Sequence, residues 1–132
     1  MGYPMQILTF SLAVVLTLAA SPSPAAPDGM LGVALMSASV DQSGNLIRGS
    51  GVVSSEMGST GRYDVTFERP LAQCTCTASA GAASTPANFA NRIVTANCRG
   101  TVGSEQRVSV ITSRPDGTFI GTDFHLIVFC PR

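Results

Sequence analysis

The feature of this chain that most constrains its fold is the segment RYDVTFE, residues 62–68, in which polar and apolar side chains alternate without exception. Tyr63, Val65 and Phe67 fall on one face, and charged or hydroxyl side chains fall on the other. A period of two residues is typical of a β-strand that buries one face and leaves the other in water. We therefore predict a strand here, with Tyr63, Val65 and Phe67 in the core.

A second β-prone run, residues 52–55, precedes this strand, and the loop between the two contains Gly58 and Gly61. Glycine adopts positive φ without steric cost, so residues 49–69 predict a β-hairpin, and the glycines in 49–51 predict a bulge or bend. Similar short runs separated by turns are typical of an all-β, antiparallel β-sandwich or small barrel. Seven or eight strands are expected, in residues 30–40, 46–48, 52–55, 62–68, 73–79, 92–98, 105–113 and 119–130.

Two of these runs are apolar or small on both faces. Residues 30–40 are expected to be covered on both sides for that reason, and residues 119–130 are expected to form a central strand. In the last run one face carries Phe124, Leu126, Val128 and Cys130, and the other carries His125, Ile127 and Phe129.

Charge and composition indicate a folded domain without a nucleic-acid partner. Eight basic residues, all of them arginine, balance eight acidic residues, so the chain is formally neutral. A neutral chain has no bulk attraction for nucleic acid or for an anionic membrane. Only 12% of the residues are charged and 45% are hydrophobic, which differs from the composition of disordered chains.

The N-terminal region has the layout of a secretory signal peptide. Residues 7–20, ILTFSLAVVLTLAA, are apolar or small and fall short of the about 20 residues that a membrane span needs. The segment SPSPAAPDG follows, so we expect a mature start between Ser21 and Asp28. We assign residues 1–26 to the signal peptide and Pro-rich lead-in and residues 27–132 to one β-sandwich domain. The mature protein is then secreted, with no membrane association after cleavage.

All four cysteines, Cys74, Cys76, Cys98 and Cys130, lie in the expected mature part of the chain. An even number in a small secreted domain predicts two disulfides. Cys74 and Cys76 share one face of an extended strand and hardly bond each other, so each pairs elsewhere. Two pairings remain open: 74–130 with 76–98, or 74–98 with 76–130. A zinc site of four thiolates is the weaker alternative, because such sites use a knuckle at a turn.

Catalytic chemistry is weakly represented in the sequence. His125 is the only histidine, and with Asp123 two residues before it an Asp–His pair is conceivable for a hydrolase. Neither a metal-binding nor a cofactor-binding motif is present, so we predict no catalytic, cofactor or metal site. The polar face of the hairpin offers Arg62, Asp64 and Glu68 as a candidate contact surface for a partner.

The order GSGVVS, then TGRYDVTFER, then a cysteine, with FHLIVFC near the end, resembles a small all-β module of bacterial exported and surface proteins. Similar modules stand at the C-termini of tail-fibre-like and collagen-repeat proteins. The resemblance spans residues 31–130. It rests on Gly49, Gly51, Val52, Val53, Gly61, Tyr63, Val65, Phe67, Cys74, Phe124, His125, Leu126 and Cys130.

The resemblance implies a bond between Cys74 and Cys130, which leaves Cys76 and Cys98 as a second pair. We expect the strand that ends at Cys98 to return beside Cys76 as a hairpin. The module brings no catalytic residues. We therefore expect a secreted, non-enzymatic β-sandwich for binding, adhesion or a structural role with an unknown protein or surface partner. The alternatives are a small inhibitor or effector that presents the loop 81–91, and a hydrolase that uses His125.

Overall fold

The computed structural model describes residues 33–84, 91–98 and 103–131, and this part of the chain folds into eight β-strands without a helix. The signal-peptide assignment lies outside the described residues. The predicted all-β class is confirmed. The strands are β1 (Val33–Val40), β2 (Leu46–Ser50), β3 (Val52–Ser59), β4 (Arg62–Phe67), β5 (Thr75–Ala80), β6 (Ile93–Asn97), β7 (Arg107–Ser113) and β8 (Phe124–Pro131).

The strands form two antiparallel four-stranded sheets. The first sheet has the order β2-β1-β8-β5 and the second has the order β3-β4-β7-β6. Every pairing within a sheet is antiparallel. The predicted hairpin of β3 and β4 is present, and β8 lies centrally between β1 and β5, as predicted for the most apolar strand.

The core lies between the sheets and consists of the inward faces of their central strands. On β4, Tyr63, Val65 and Phe67 are at most 2% exposed, which confirms the alternation read from the sequence. β8 contributes Phe124, whose ring meets the ring of Tyr63 edge to face, with centroids 5.0 Å apart. Aromatic pairs in this geometry stabilise a core beyond the area they bury. The other inward residues of β8 are Leu126, Val128 and Cys130, all fully buried.

The chain passes from the first sheet to the second at Gly51, between β2 and β3. Gly51 has a φ of 67°, and a Cβ added there would lie 2.7 Å from Cγ of Met36. Glycine is the residue that accepts both this backbone conformation and this close approach. The bend predicted for residues 49–51 is therefore confirmed, and it forms one closed side of the sandwich.

The two disulfides join Cys74 to Cys130 and Cys76 to Cys98. The first lies within the first sheet, beside the β5–β8 ladder, with Cα atoms 4.2 Å apart. The second joins β5 at the edge of the first sheet to the end of β6 at the edge of the second, with Cα atoms 5.8 Å apart. The predicted pairing is confirmed, but the expected hairpin is wrong: β5 and β6 belong to different sheets, and this bond closes the sandwich on the side opposite Gly51.

Two details of the strand prediction are wrong. The last strand begins at Phe124, whereas Phe119 forms only an isolated bridge with Ser113, because the turn from Arg114 to Thr118 brings it back beside the end of β7. The first strand is not covered on both sides along its whole length, because its outward side is open at its first residues and is buried only at Ser39. Its outward side chains include Val33 and Leu35, and both are more than half exposed.

Phe67→Ala is expected to lower the free energy of unfolding by about 3–5 kcal/mol, because the side chain is fully buried and truncation leaves a cavity. Val53→Ala is the matched control, since Val53 is 61% exposed on β3, the neighbouring strand, and should cost less than about 0.5 kcal/mol. Urea unfolding followed by circular dichroism measures both. Equal losses would contradict the assignment of the two faces of the hairpin.

Candidate functional site

The outward face of the first sheet carries a group of exposed apolar side chains. Val33, Leu35, Ile127 and Phe129 are 56%, 61%, 38% and 44% exposed. We call these four residues the apolar patch. They lie on β1 and β8, the two central strands of the sheet, and not on its edges.

Strand register brings the members of the patch together. Leu35 lies directly opposite Phe129, and Ile127 lies opposite Ser37 one row further along the pair. Side chains opposite each other on one face of an antiparallel pair have Cβ atoms about 4.5–5.5 Å apart. On the other side of β8, Thr75 lies opposite Phe129 and extends the same row. The patch is therefore one contiguous surface.

The opposite end of the same face is polar. The Oγ of Ser39 lies 2.9 Å from Nδ1 of His125, its cross-strand neighbour. Ser79 lies opposite His125 on the β5 side, and Arg48 lies opposite Ser39 on the β2 side. The imidazole also packs against Gly81, where an added Cβ would lie 2.4 Å from Cδ2 of His125. His125 is therefore held in place from both sides.

Asp123 does not act as the carboxylate partner of His125. One of its oxygens accepts the backbone N–H of Gln42 at 2.8 Å. The other accepts the backbone N–H groups of Ala83 at 3.0 Å and Ser84 at 3.4 Å. Asp123 is 3% exposed and precedes the first residue of β8. Its buried charge is stabilised by these donors, so its role is to join segments of the backbone.

Tyr63 meets the same backbone segment from the other side. Its hydroxyl donates to the carbonyl of Gln42 at 2.9 Å and accepts the backbone N–H of Thr122 at 3.2 Å. Burial raises the pKa of Tyr63, because removal from water disfavours the charged phenolate. We call Asp123, Gln42 and Tyr63 the Gln42 junction, because the peptide groups on both sides of Gln42 are bound by the other two residues.

The candidate contact surface on the second sheet is divided among separate local contacts. The guanidinium of Arg62 lies over the ring of Phe119, 4.5 Å from its centroid. Asp64 accepts a hydrogen bond from Oγ of Ser109 at 2.8 Å and forms an ion pair with Arg107 at 3.4 Å. Glu68 follows the end of β4 and is exposed. The ion pair is solvent-exposed and contributes little to stability.

Several open depressions lie at the rims of the sandwich. A groove of about 820 Å³ follows the β5–β6 side and includes both Cys76 and Cys98. A smaller one of about 430 Å³ lies between Pro70 and residues 103–107. Neither is lined by His125. The loop 81–91, proposed as an inhibitory segment, falls largely outside the described residues.

Within residues 33–84, 91–98 and 103–131, no three histidine, cysteine or acidic side chains are grouped in a way that could hold a metal ion. The four cysteines are in the two disulfides and do not form the zinc site considered as an alternative. In the same part of the chain, no helix has the length and hydropathy to cross a membrane. The disulfides themselves indicate an oxidising environment, as found outside the cytosol.

Comparison of the chain with protein-family models, with curated proteins and with solved structures found no match. The strand order and the two disulfides define the class of protein as a small, disulfide-bonded, two-sheet β-sandwich. Its outward first-sheet face carries the apolar patch at one end and the Ser39–His125 contact at the other.

Two of these features were missed in the sequence. Ser39 was not singled out because strand register, and not a motif, places it beside His125. Leu35 was expected to be covered, because an apolar residue on a strand is usually covered by a neighbouring layer. The alternation of Phe129 and Ile127 with the buried residues of β8 already placed them on the outward face, but exposure was not inferred from it.

Tyr63→Phe and Asp123→Asn are each expected to lower the free energy of unfolding by about 1–3 kcal/mol, because each leaves buried backbone groups unpaired. The double variant should lose less than the sum, since both side chains hold the same residue, Gln42. Urea unfolding measures the three variants. Glu56→Gln, at an exposed position on β3, is the control and should change stability by less than about 0.5 kcal/mol. Strictly additive losses would contradict the shared junction.

Proposed function

We propose that this protein is a secreted, non-enzymatic β-sandwich module that acts by binding another polypeptide through the apolar patch. The observation that carries the proposal is the contiguous exposure of Val33, Leu35, Ile127 and Phe129 on the two central strands of one sheet. Single exposed apolar side chains are ordinary on protein surfaces, but contiguous groups mark interaction sites. Export through the N-terminal signal peptide and a role outside the cell are part of the same proposal.

The patch lies on a support that is rigid enough to present it. β8 is hydrogen-bonded to a strand on each side, and Cys74–Cys130 ties its end to the start of β5. Its inward side chains are fully buried, so β8 cannot turn to hide Ile127 and Phe129 without exposing the core. A face held in this way loses little conformational entropy on binding, which favours recognition.

The energy available from covering the patch is moderate. Full burial of a side chain of this size contributes about 1.5–3 kcal/mol, and the four are roughly half exposed, so covering all of them contributes about 4 kcal/mol. Association itself costs at least about 4 kcal/mol in lost translational and rotational freedom. Binding through the patch therefore also requires contacts from its neighbours, such as Thr75 and Thr77 on β5.

The hydrolase alternative rests on one specific contact, the 2.9 Å approach of Ser39 Oγ to His125 Nδ1. Ser39 is only 8% exposed, so a substrate would have limited access to its hydroxyl. The carboxylate nearest in sequence, Asp123, is bound by three backbone N–H groups and does not orient the imidazole. Both points support a structural role for this serine–histidine pair.

A photo-crosslinking residue in place of Leu35, incorporated in cells that export the chain, is expected to give one adduct of defined mass on irradiation. The same residue in place of Val53 is the matched control, because both positions are 61% exposed and they lie on different sheets. Adducts are read by gel mobility and mass spectrometry. No adduct at position 35, or equal adducts at both positions, would overturn the proposed binding role of the patch.

A fluorophosphonate probe, which labels activated serine nucleophiles, is expected to leave the oxidised protein unlabelled. The Ser39→Ala variant should give the same background signal, because the hydroxyl is nearly covered and lacks a carboxylate-oriented base. Labelling is measured by in-gel fluorescence. Labelling of Ser39 that disappears in a folded His125→Gln variant would favour the hydrolase over the binding module.

A further inference from the structure

The apolar patch has the properties of a self-complementary surface. Leu35 on β1 and Phe129 on β8 are directly opposite each other, and the next outward pair combines the small Ser37 with the larger Ile127. A second copy can be placed by a rotation of 180° about an axis that lies just outside this face, parallel to the strands and midway between β1 and β8. The rotation puts β1 of the second copy over β8 of the first, and β8 of the second copy over β1 of the first. Each large side chain of β8 then faces the β1 residue of the same row in a second copy.

We infer that the polypeptide that occupies the patch is a second copy of this chain, in a two-fold, face-to-face packing of the first sheets. The inference rests on the proposed binding role of the patch and names its partner. In this arrangement Leu35 packs against Phe129 of the second copy, and Phe129 packs against Leu35 of the second copy. Two-fold dimers are the commonest oligomers, and their interfaces pair one patch with itself.

Side-chain sizes agree with this packing. Ser37 leaves space on β1 at the level where Ile127 projects from β8. When β1 of one copy faces β8 of the other, Ile127 enters the space above Ser37, and the faces interdigitate. Packed sheets whose strands run within about 30° of each other lie about 10 Å apart and are filled in this way.

Charge also agrees with a second copy. The chain is formally neutral, so two copies do not repel each other through net charge. Arg48 is the charged residue at the polar end of this face, on β2. The rotation carries β2 over β5 of the second copy, so Arg48 faces Ser79 there and not another Arg48. The packing therefore does not bring the two Arg48 side chains together.

The area of the face sets the strength of the dimer. Four strands spaced by about 4.8 Å and seven residues at about 3.4 Å each give a face of about 450 Å² per copy, or about 900 Å² for the pair. Stable complexes bury about 1,200–2,000 Å² in total, and weak ones bury less. The dimer is therefore weak and dissociates on dilution.

Sedimentation equilibrium of the oxidised protein, from about 1 µM to about 1 mM, is expected to show a reversible monomer–dimer equilibrium within this range. Leu35→Asp and Phe129→Lys should each weaken dimerisation at least about tenfold, since each places a charge in an apolar contact. Val53→Asp is the matched control with the same exposure and should leave the equilibrium unchanged. Thermal unfolding of each variant verifies that it is folded.

The decisive experiment mixes the Leu35→Asp variant with the Phe129→Lys variant and measures dimerisation of the mixture. In the mixed dimer one Leu35–Phe129 contact is restored and the two introduced charges attract, so dimerisation should recover at least in part. A monomer at every concentration, a dimer indifferent to both substitutions, or a mixture that fails to recover would overturn the two-fold packing. A monomeric protein that still gives a defined adduct at position 35 would refute the second copy and leave the proposed binding role standing.

Discussion

The peptide groups on either side of Gln42 are the point at which most of the fold is joined. The Asp123 carboxylate binds the N–H of Gln42, and the Tyr63 hydroxyl binds its carbonyl. Through these two side chains the loop after β1, the strand β4 of the other sheet and the segment before β8 meet at one partly buried site. Asp123 adds the segment after β5 by accepting the N–H of Ala83. An unpaired polar group here would be costly, so the segments are fixed relative to one another.

The patch depends on this junction and on the two closures of the sandwich. Gly51 closes one side through the backbone, and Cys76–Cys98 closes the other through a covalent bond. The two closures join the sheets at both edges, and the inward face of β8 lies buried between the sheets. Its outward face is then fixed in water, with Phe129 and Ile127 exposed. The fold itself therefore enforces the exposure of this surface, which is why we propose it as the binding site.

The prediction from sequence succeeded where a local pattern controls the outcome. Strict alternation identified the buried face of β4, since a strand has only two faces and Tyr63, Val65 and Phe67 share one. The prediction failed where segments that are distant in sequence determine the surroundings of a side chain. Asp123 was considered beside His125 because of its position in sequence, whereas its oxygens bind backbone groups from Gln42 and Ala83.

By itself, the sequence determined the all-β class, the inward face of β4 and the need for two disulfides. Those properties follow from side-chain period, turn residues and cysteine number, which are local or compositional. Only the tertiary structure decided that Cys76–Cys98 crosses between sheets and that Leu35 and Phe129 remain uncovered. Both depend on which strands neighbour each other and on whether a further layer packs outside them. The sequence of an apolar strand face does not show whether another layer packs on that face or whether water contacts it. The exposure of its side chains is therefore a property of the assembled sheets.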